Sequence, residues 1–107
     1  DKYRELAATD IIKLCIRDQY YNMAIPMKDH MGLVTRAKDA MHSLGIEPIV
    51  LPIRGGTDGA RLSFMGLPCP NIFAGGLNFH GKMEFLPLPS MEKASEVILN
   101  ILKLYAE

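Results

Sequence analysis

Apolar residues fall at three kinds of spacing along this chain, and two of these spacings predict strands. Between residues 11 and 21 apolar and polar side chains alternate, which is typical of a strand with one covered face, although Asp18 interrupts the apolar side. Residues 49–53 are instead a short continuous apolar run, a pattern typical of a strand that is covered on both faces. Residues 67–74 predict another short apolar strand, whose place in a sheet is restricted by Pro68 and Pro70. The pattern therefore predicts three strands.

The third spacing is that of amphipathic helices. Apolar residues recur every three or four positions after Pro26 and up to Gly45, a residue type that often ends a helix in the left-handed conformation. Residues 60–65 predict a short helix. Residues 91–105 carry a long apolar stripe, which follows Ser90 as the predicted N-cap. We therefore expect three helices, the last of them the longest.

The order of these elements predicts the fold class. From residue 47 onward the succession of strand, glycine-rich loop and helix occurs twice, and this alternation is typical of proteins in which helices connect parallel strands. The prediction is an α/β fold with a partial, mainly parallel sheet and flanking helices, preceded by a strand–helix piece. The length of 107 residues is about that of one ordinary domain.

Composition and charge exclude several classes of function. Twelve basic residues balance twelve acidic ones, so no net charge draws the whole chain to nucleic acid or to an acidic membrane. No apolar run is long enough to span a membrane. The two cysteines, Cys15 and Cys69, form no metal-binding or disulfide pattern, and they favour reduced thiols in a cytoplasmic protein. We expect no nucleic-acid partner and no membrane partner.

The glycine-rich loop at residues 54–59 is the first candidate site. It follows an apolar run and precedes a predicted helix, so its backbone N–H groups and the Arg54 guanidinium suit a carboxylate or phosphate. The loop matches neither of the usual nucleotide-binding motifs. The simpler interpretation is a tight turn in which Thr57 or Asp58 caps the helix and Arg54 is only solvated. The residues alone leave both interpretations open.

The second candidate is His80, which lies in a loop with glycines on either side. A neutral imidazole is a good zinc ligand, but zinc in proteins takes three or four ligands, and Glu84 alone does not complete a site. A surface histidine is the simpler interpretation. Structural roles are also the simpler interpretation for the remaining polar or nucleophilic candidates, which are His30, His42 and Cys69.

Longer stretches of the chain carry a family resemblance. Residues 53–71 (IRGGTDGARLSFMGLPCPN), together with parts of 75–85, 91–94 and 18–23, resemble the tripeptide aminopeptidases known as peptidase T, a group of co-catalytic zinc exopeptidases. The likeness covers roughly residues 18–105. It implies that the chain corresponds to the C-terminal part of a longer enzyme that removes the N-terminal residue from tripeptides in the cytoplasm.

The resemblance also assigns the two parts of the chain to different domains of the longer enzyme. Residues 1–46 would form the C-terminal half of a lid or dimerisation domain, and residues 47–107 would form the C-terminal part of the catalytic domain. His80 would be the last ligand of a site for two zinc ions, whose other ligands lie in upstream sequence. The resemblance implies contact with the peptide substrate for Arg54, Gly55, Gly56 and Thr57.

Three expectations about behaviour follow from this resemblance. A chain with a single zinc ligand would bind zinc weakly or not at all and would be inactive alone. Self-association to a homo-oligomer through residues 1–46 would agree with the pairing of family members through the lid. The alternative expectation, from a different class of function, is a stand-alone α/β module that binds a small anion or peptide at the loop of residues 54–59.

Overall fold

The regular structure is helical within residues 15–19 and 21–106, which are the residues that the computed structural model describes. A single turn of α-helix leads through a short 3₁₀ helix into a second α-helix, and two further α-helices follow after long irregular segments. These elements are α1 (Ala24–Met27), the 3₁₀ helix (Lys28–His30), α2 (Met31–His42), α3 (Asp58–Phe64) and α4 (Leu88–Ala106).

Helix α2 ends where the sequence predicts. The Gly45 backbone has φ of +70°, and its N–H donates to the carbonyl of His42 at 2.9 Å. The next amide, that of Ile46, donates to the carbonyl of Met41 at 3.0 Å, so two carbonyls of the last turn are satisfied. Gly66 has φ of +95° after α3, which confirms the predicted end of that helix as well.

A small core lies where α2 packs against α4. Ala40 on α2 and Val97 on α4 are both fully inaccessible to solvent. Both side chains are small or compact, which allows two helix backbones to approach closely. The other buried apolar residues in the described part of the chain are Met27, Ala60 and Ala94.

Two polar contacts join the same pair of helices at the surface. The guanidinium carbon of Arg36 lies 4.2 Å from the centre of the Tyr105 ring, a cation–π geometry. The side-chain amide of Asn100 donates to the Ser43 hydroxyl at 3.0 Å. The first contact joins α2 to α4 directly, and the second joins α4 to Ser43, the residue that follows α2.

The predicted parallel sheet is absent from residues 15–19 and 21–106, so the α/β prediction is wrong for the part of the chain that the structure describes. Residues 49–53 and 67–74 have no ladder partner there. The one β-bridge found among these residues is an isolated antiparallel pair, Leu77 with Phe85. Of the strand predicted at 11–21, positions 15–19 and 21 carry no regular structure, and the other positions lie outside the described residues.

The physical reason is that a β-strand exists only when a neighbour satisfies its backbone groups, and apolar composition alone does not supply that neighbour. In the segment 49–53 the side chains of Ile49 and Leu51 are 78% and 72% exposed. Pro52 removes a backbone donor from this run, and Pro68 and Pro70 remove two from the other. The runs that predict buried strands are therefore irregular and largely exposed.

Helix α4 begins earlier than its predicted cap. It starts at Leu88, so Ser90 lies inside the first turn, and the prediction that Ser90 is the N-cap is wrong. The amides of Ser90 and Met91 both donate to the carbonyl of Pro87, at 3.0 and 3.1 Å. Pro89 is tolerated because the first turn requires no N–H from it. None of the helices in the described part of the chain is long and apolar enough to cross a membrane.

Candidate functional site

The glycine-rich loop enters α3 through a capped turn. Arg54 and Gly56 are exposed, and Gly55 has φ of +85°. Thr57 is in an extended conformation, and its hydroxyl accepts the backbone N–H of Ala60 at 3.1 Å. Thr57 is therefore the N-cap of α3, which is the role that the helix-capping interpretation of this loop gives it.

A side chain from the following segment holds this turn in place. The amide of Asn71 donates to the Thr57 hydroxyl at 3.2 Å, so this oxygen receives a second hydrogen bond from a residue fourteen positions away. The hydroxyl of Thr57 keeps its own proton free for donation, since both of these bonds use it as an acceptor. The sequence gives Asn71 no such role, although a polar amide after an apolar, proline-rich run is a signal that marks it for attention.

Close backbone packing joins the same two segments. Ser63 is buried and its hydroxyl donates to the carbonyl of Gly59 at 2.7 Å while accepting the amide of Cys69 at 2.9 Å. A β-carbon added at Gly59 would lie 2.5 Å from the backbone oxygen of Cys69. The bare backbone at Gly59 is therefore a requirement of this packing, and Cys69 contributes through its backbone.

An open groove of about 1090 Å³ lies beside this loop. Gly55 and Thr57 are part of its lining, whereas Arg54 and Gly56 are not. Much of the remaining wall is apolar and includes Met27, Met41, Ile49 and Phe73. The loop thus presents backbone and hydroxyl groups to an apolar groove of the size that a small ligand occupies.

Tyr21 also lines this groove. Its phenol donates to the Asp18 carboxylate at 3.1 Å, and its ring packs against Phe64 with 5.8 Å between ring centres. The hydrogen bond to Asp18 and then the negative charge of that carboxylate raise the pKa of Tyr21 above its ordinary 10.0, because both disfavour the phenolate. Deprotonation of Tyr21 therefore requires a higher pH than that of an ordinary tyrosine.

His80 lies at the tip of a hairpin-like turn. The turn is closed by the bridge between Leu77 and Phe85, whose two N–H···O bonds measure 2.9 and 3.2 Å. His80 is exposed and has φ of +64°, in the left-handed region. Its backbone N–H donates to the carboxylate Oε2 of Glu84 at 3.0 Å. The turn thus presents an accessible imidazole on a constrained backbone.

The base of this turn rests on α4. Gly75 has φ of +87°, and a β-carbon there would lie 2.6 Å from the β-carbon of Ser90. This approach is possible only for glycine. The turn that carries His80 is therefore joined closely to the first turn of the longest helix.

The donor chemistry tests whether the described residues suit a metal ion. No group of three or more His, Cys, Asp and Glu side chains comes together within residues 15–19 and 21–106. His42 is 3.8 Å from Glu47, and His30 lies in the 3₁₀ helix, so neither joins His80 in a cluster. The exposed imidazole of His80 suits one coordination position, and the described residues do not complete a zinc site.

Comparison with known proteins relates the chain to one group. It is 57% identical over 107 residues to peptidase T of Fusobacterium nucleatum, covering all of this chain and 26% of that protein. It is 62% identical over 96 residues to peptidase T of Caldanaerobacter subterraneus and 64% identical over 91 residues to peptidase T of Parabacteroides distasonis. These alignments cover 90% and 85% of this chain, and 24% and 22% of the relatives.

Two facts complete this comparison. No protein-family model matches the chain. The chain spans about a quarter of the length of the curated relatives that it matches, and the matched part includes nearly all of its residues. The resemblance predicted from residues 18–105 is therefore confirmed.

Proposed function

We propose that this chain, a homologue of peptidase T, is one part of a larger metal-dependent peptidase that removes the N-terminal residue from tripeptides. Identity of 57–64% to proteins of that name supports the proposal. The accessible imidazole of His80 supports it too, since a part of a metal site is what a part of the enzyme would contain. On this proposal the chain is inactive until it is joined to the remaining ligands.

The role that we assign to His80 is that of a zinc ligand. A site with two zinc ions would supply a metal-bound hydroxide and would polarise the carbonyl of the peptide bond. His80 would contribute one nitrogen, held at the tip of its turn by the bridge between Leu77 and Phe85. The observation that supports this proposal is that the imidazole of His80 is exposed on a backbone in the left-handed region.

The loop of residues 54–57 is proposed to contact the peptide. Gly55 and Thr57 border the groove, and Thr57 keeps a hydroxyl proton to donate. Arg54 is exposed and carries the positive charge that pairs with a peptide carboxylate. We assign Gly56 to the same role, since its lack of a side chain leaves the backbone N–H groups accessible.

The metal role is tested on the complete protein that carries this chain. In the His80→Ala variant we expect bound zinc, measured by elemental analysis, to fall by one ion or more per chain and tripeptide hydrolysis to be lost. His42→Ala is the matched control, since His42 is also exposed and pairs only weakly with Glu47. Unchanged zinc content and turnover in His80→Ala would refute the role of His80.

The isolated chain of 107 residues provides a second test, which concerns the proposed inactivity of this part of the enzyme. We expect no turnover when zinc and a tripeptide are added to it. Calorimetric titration with acetate or phosphate in the absence of metal distinguishes the alternative, because a stand-alone binding module would bind such an anion at the loop of residues 54–59. Steady hydrolysis by the isolated chain would contradict the proposal.

The substrate role is tested by kinetics. Arg54→Ala in the complete protein should raise KM for a tripeptide by about tenfold, with Arg54→Lys intermediate because a lysine keeps the charge without the planar fork. Arg61→Ala is the control, since Arg61 is an exposed arginine in α3. Equal KM values for all three variants and the unchanged protein would remove Arg54 from the substrate site.

We further propose self-association through residues 1–46 and a cytoplasmic location. Within the described part of that segment, Ile25 and Met31 are 68% and 53% exposed, and such side chains favour burial against a second copy. Both cysteines are free thiols, which suits a reducing compartment. Light scattering during size-exclusion chromatography checks the first proposal, with a monomer at all concentrations as the contrary result.

A further inference from the structure

The backbone at His80 adopts a conformation that needs support. Its φ of +64° lies in the left-handed region, and Asn78 two residues earlier has φ of +56°. Asparagine and histidine visit this region more often than most other non-glycine residues, but each still does so at an energetic cost. An exposed turn with two such residues relaxes readily to other conformations unless specific contacts hold it.

Besides the bridge between Leu77 and Phe85 and the bond from the backbone amide of Glu84 to the carbonyl of Gly81 at 3.2 Å, three hydrogen bonds hold this turn together. The amide of Gly81 donates to the carbonyl of Asn78 at 2.9 Å, and the side-chain amide of Asn78 donates to the carbonyl of Met83 at 3.2 Å. The third runs from the backbone N–H of His80 to Oε2 of Glu84 at 3.0 Å. Among the three, the bond to Glu84 is the one that involves His80 itself.

We propose that Glu84 is a positioning residue, which fixes the direction of the His80 imidazole by accepting the hydrogen bond of the His80 backbone amide. This inference rests on the proposed function, in which His80 binds a metal ion. The carboxylate acts on the main chain of the ligand, so the bond sets where the Cα–Cβ bond points and leaves both ring nitrogens free.

The geometry favours positioning over direct coordination. The acceptor must carry an oxygen at the position of Oε2, and its charge strengthens the bond but is not essential to its direction. If Glu84 bound the metal ion directly, its side chain would instead have to be an ionised carboxylate. Glutamine at position 84 keeps the acceptor oxygen and loses the charge, whereas alanine loses both, so these two variants separate the roles.

The first measurement concerns the metal-free protein. We use the complete protein with ¹⁵N-labelled histidine and follow exchange of the His80 amide proton with solvent. In Glu84→Ala this exchange should accelerate by about fivefold or more, the factor that corresponds to loss of one ordinary hydrogen bond. Glu84→Gln should stay within about twofold of the unchanged protein. Met83→Ala is the control, because Met83 is 77% exposed and contributes its backbone carbonyl to the turn.

The second measurement is zinc affinity, determined by competition with a chelator. Loss of a supporting hydrogen bond beside a ligand typically lowers metal affinity by about 10–100-fold, and we expect the lower end for Glu84→Ala because the turn is exposed. Glu84→Gln should lose no more than about threefold, and Met83→Ala should match the unchanged protein.

The outcomes separate this inference from the proposed function. Equal losses of affinity in Glu84→Gln and Glu84→Ala would show that the charge matters, and they would overturn positioning through the hydrogen bond. Unchanged amide exchange in Glu84→Ala would overturn it as well. If His80→Ala leaves zinc affinity unchanged, the proposed function fails, whereas the amide-exchange result still reports on the Glu84 contact.

Discussion

Replacing Gly59 with alanine perturbs the close contact between the start of α3 and the segment that follows the helix. In an exposed helix, alanine in place of glycine stabilises the folded state by about 0.5–1 kcal/mol, because the glycine backbone loses more conformational freedom on folding. At Gly59 the added β-carbon would lie 2.5 Å from the backbone oxygen of Cys69 and 3.0 Å from the side-chain oxygen of Asn71.

The magnitude follows from that contact. A β-carbon does not approach a carbonyl oxygen to 2.5 Å, so the backbone at Cys69 must move, and forced movement of this kind costs about 1–3 kcal/mol. The movement also draws Asn71 away from the Thr57 hydroxyl, which it now reaches at 3.2 Å. We therefore expect Gly59→Ala to lower the free energy of unfolding despite the better helix propensity of alanine.

Gly32→Ala is a matched control. Gly32 is the second residue of α2 as Gly59 is the second residue of α3, and apart from its chain neighbours and the backbone of its own helix no atom lies within 4 Å of its added β-carbon. The propensity gains cancel in the comparison, so the difference between the two variants isolates the contact and should be about 1–3 kcal/mol.

The assay is urea denaturation of the complete protein, followed by circular dichroism for the unchanged protein and both variants. Gly32→Ala should unfold at the same or higher urea concentration than the unchanged protein, and Gly59→Ala should unfold at a lower concentration. Equal stabilisation by both substitutions would refute the packing of Gly59 against Cys69.

Three further predictions use individual contacts. Thr57→Ala should lower the free energy of unfolding by about 1 kcal/mol through loss of the α3 cap. Thr57→Ser should retain most of the stability that the cap contributes, and full stability of Thr57→Ala would contradict the cap. Asp18→Asn should lower the pKa of Tyr21 towards its ordinary 10.0, measured by NMR of ¹³C-labelled tyrosine, since the raised pKa depends on that carboxylate. Arg36→Ala should cost about 0.5–1 kcal/mol in thermal unfolding through loss of the contact with the Tyr105 ring, and a matching loss in a protein that already carries Tyr105→Ala would exclude that contact.

Helix ends were predictable because their determinants are local. Gly45 and Gly66 follow apolar helical patterns directly, and a glycine there satisfies the last carbonyls from a left-handed conformation. The start of α4 was harder to predict. Ser90 is a good capping residue by type, but the carbonyl of Pro87 already satisfies its amide, so the helix begins at Leu88.

Strands were not predictable in the same way because pairing is a property of two segments. The run 49–53 has the composition of a covered strand, yet Ile49 and Leu51 are among the most exposed apolar side chains of the described residues. Nothing within the run itself reports whether a neighbouring strand is available to accept its hydrogen bonds. A sequence pattern thus predicts which side chains favour burial, and it does not supply what buries them.

Some features of the candidate site were likewise predictable from the sequence, and others were not. The residue types at His80 and at the loop beginning with Arg54 are visible in the sequence, and they carry the family resemblance. The supports are not visible, because the bond from Asn71 to Thr57 crosses fourteen positions and the bond from His80 to Glu84 depends on a left-handed backbone. Sequence identifies candidate reactive groups here, and coordinates identify what orients them.

The close packing of Gly75 against Ser90 depends on the number of residues between them. The bridge between Leu77 and Phe85 closes the turn, and α4 starts three residues after Phe85. Only Leu86 and Pro87 therefore connect the bridge to the helix. Inserting one residue there would rotate the helix by about 100° relative to the bridge and would swing Ser90 away from Gly75. Relatives should therefore keep the number of residues between Phe85 and Leu88 constant even where the side chains there differ.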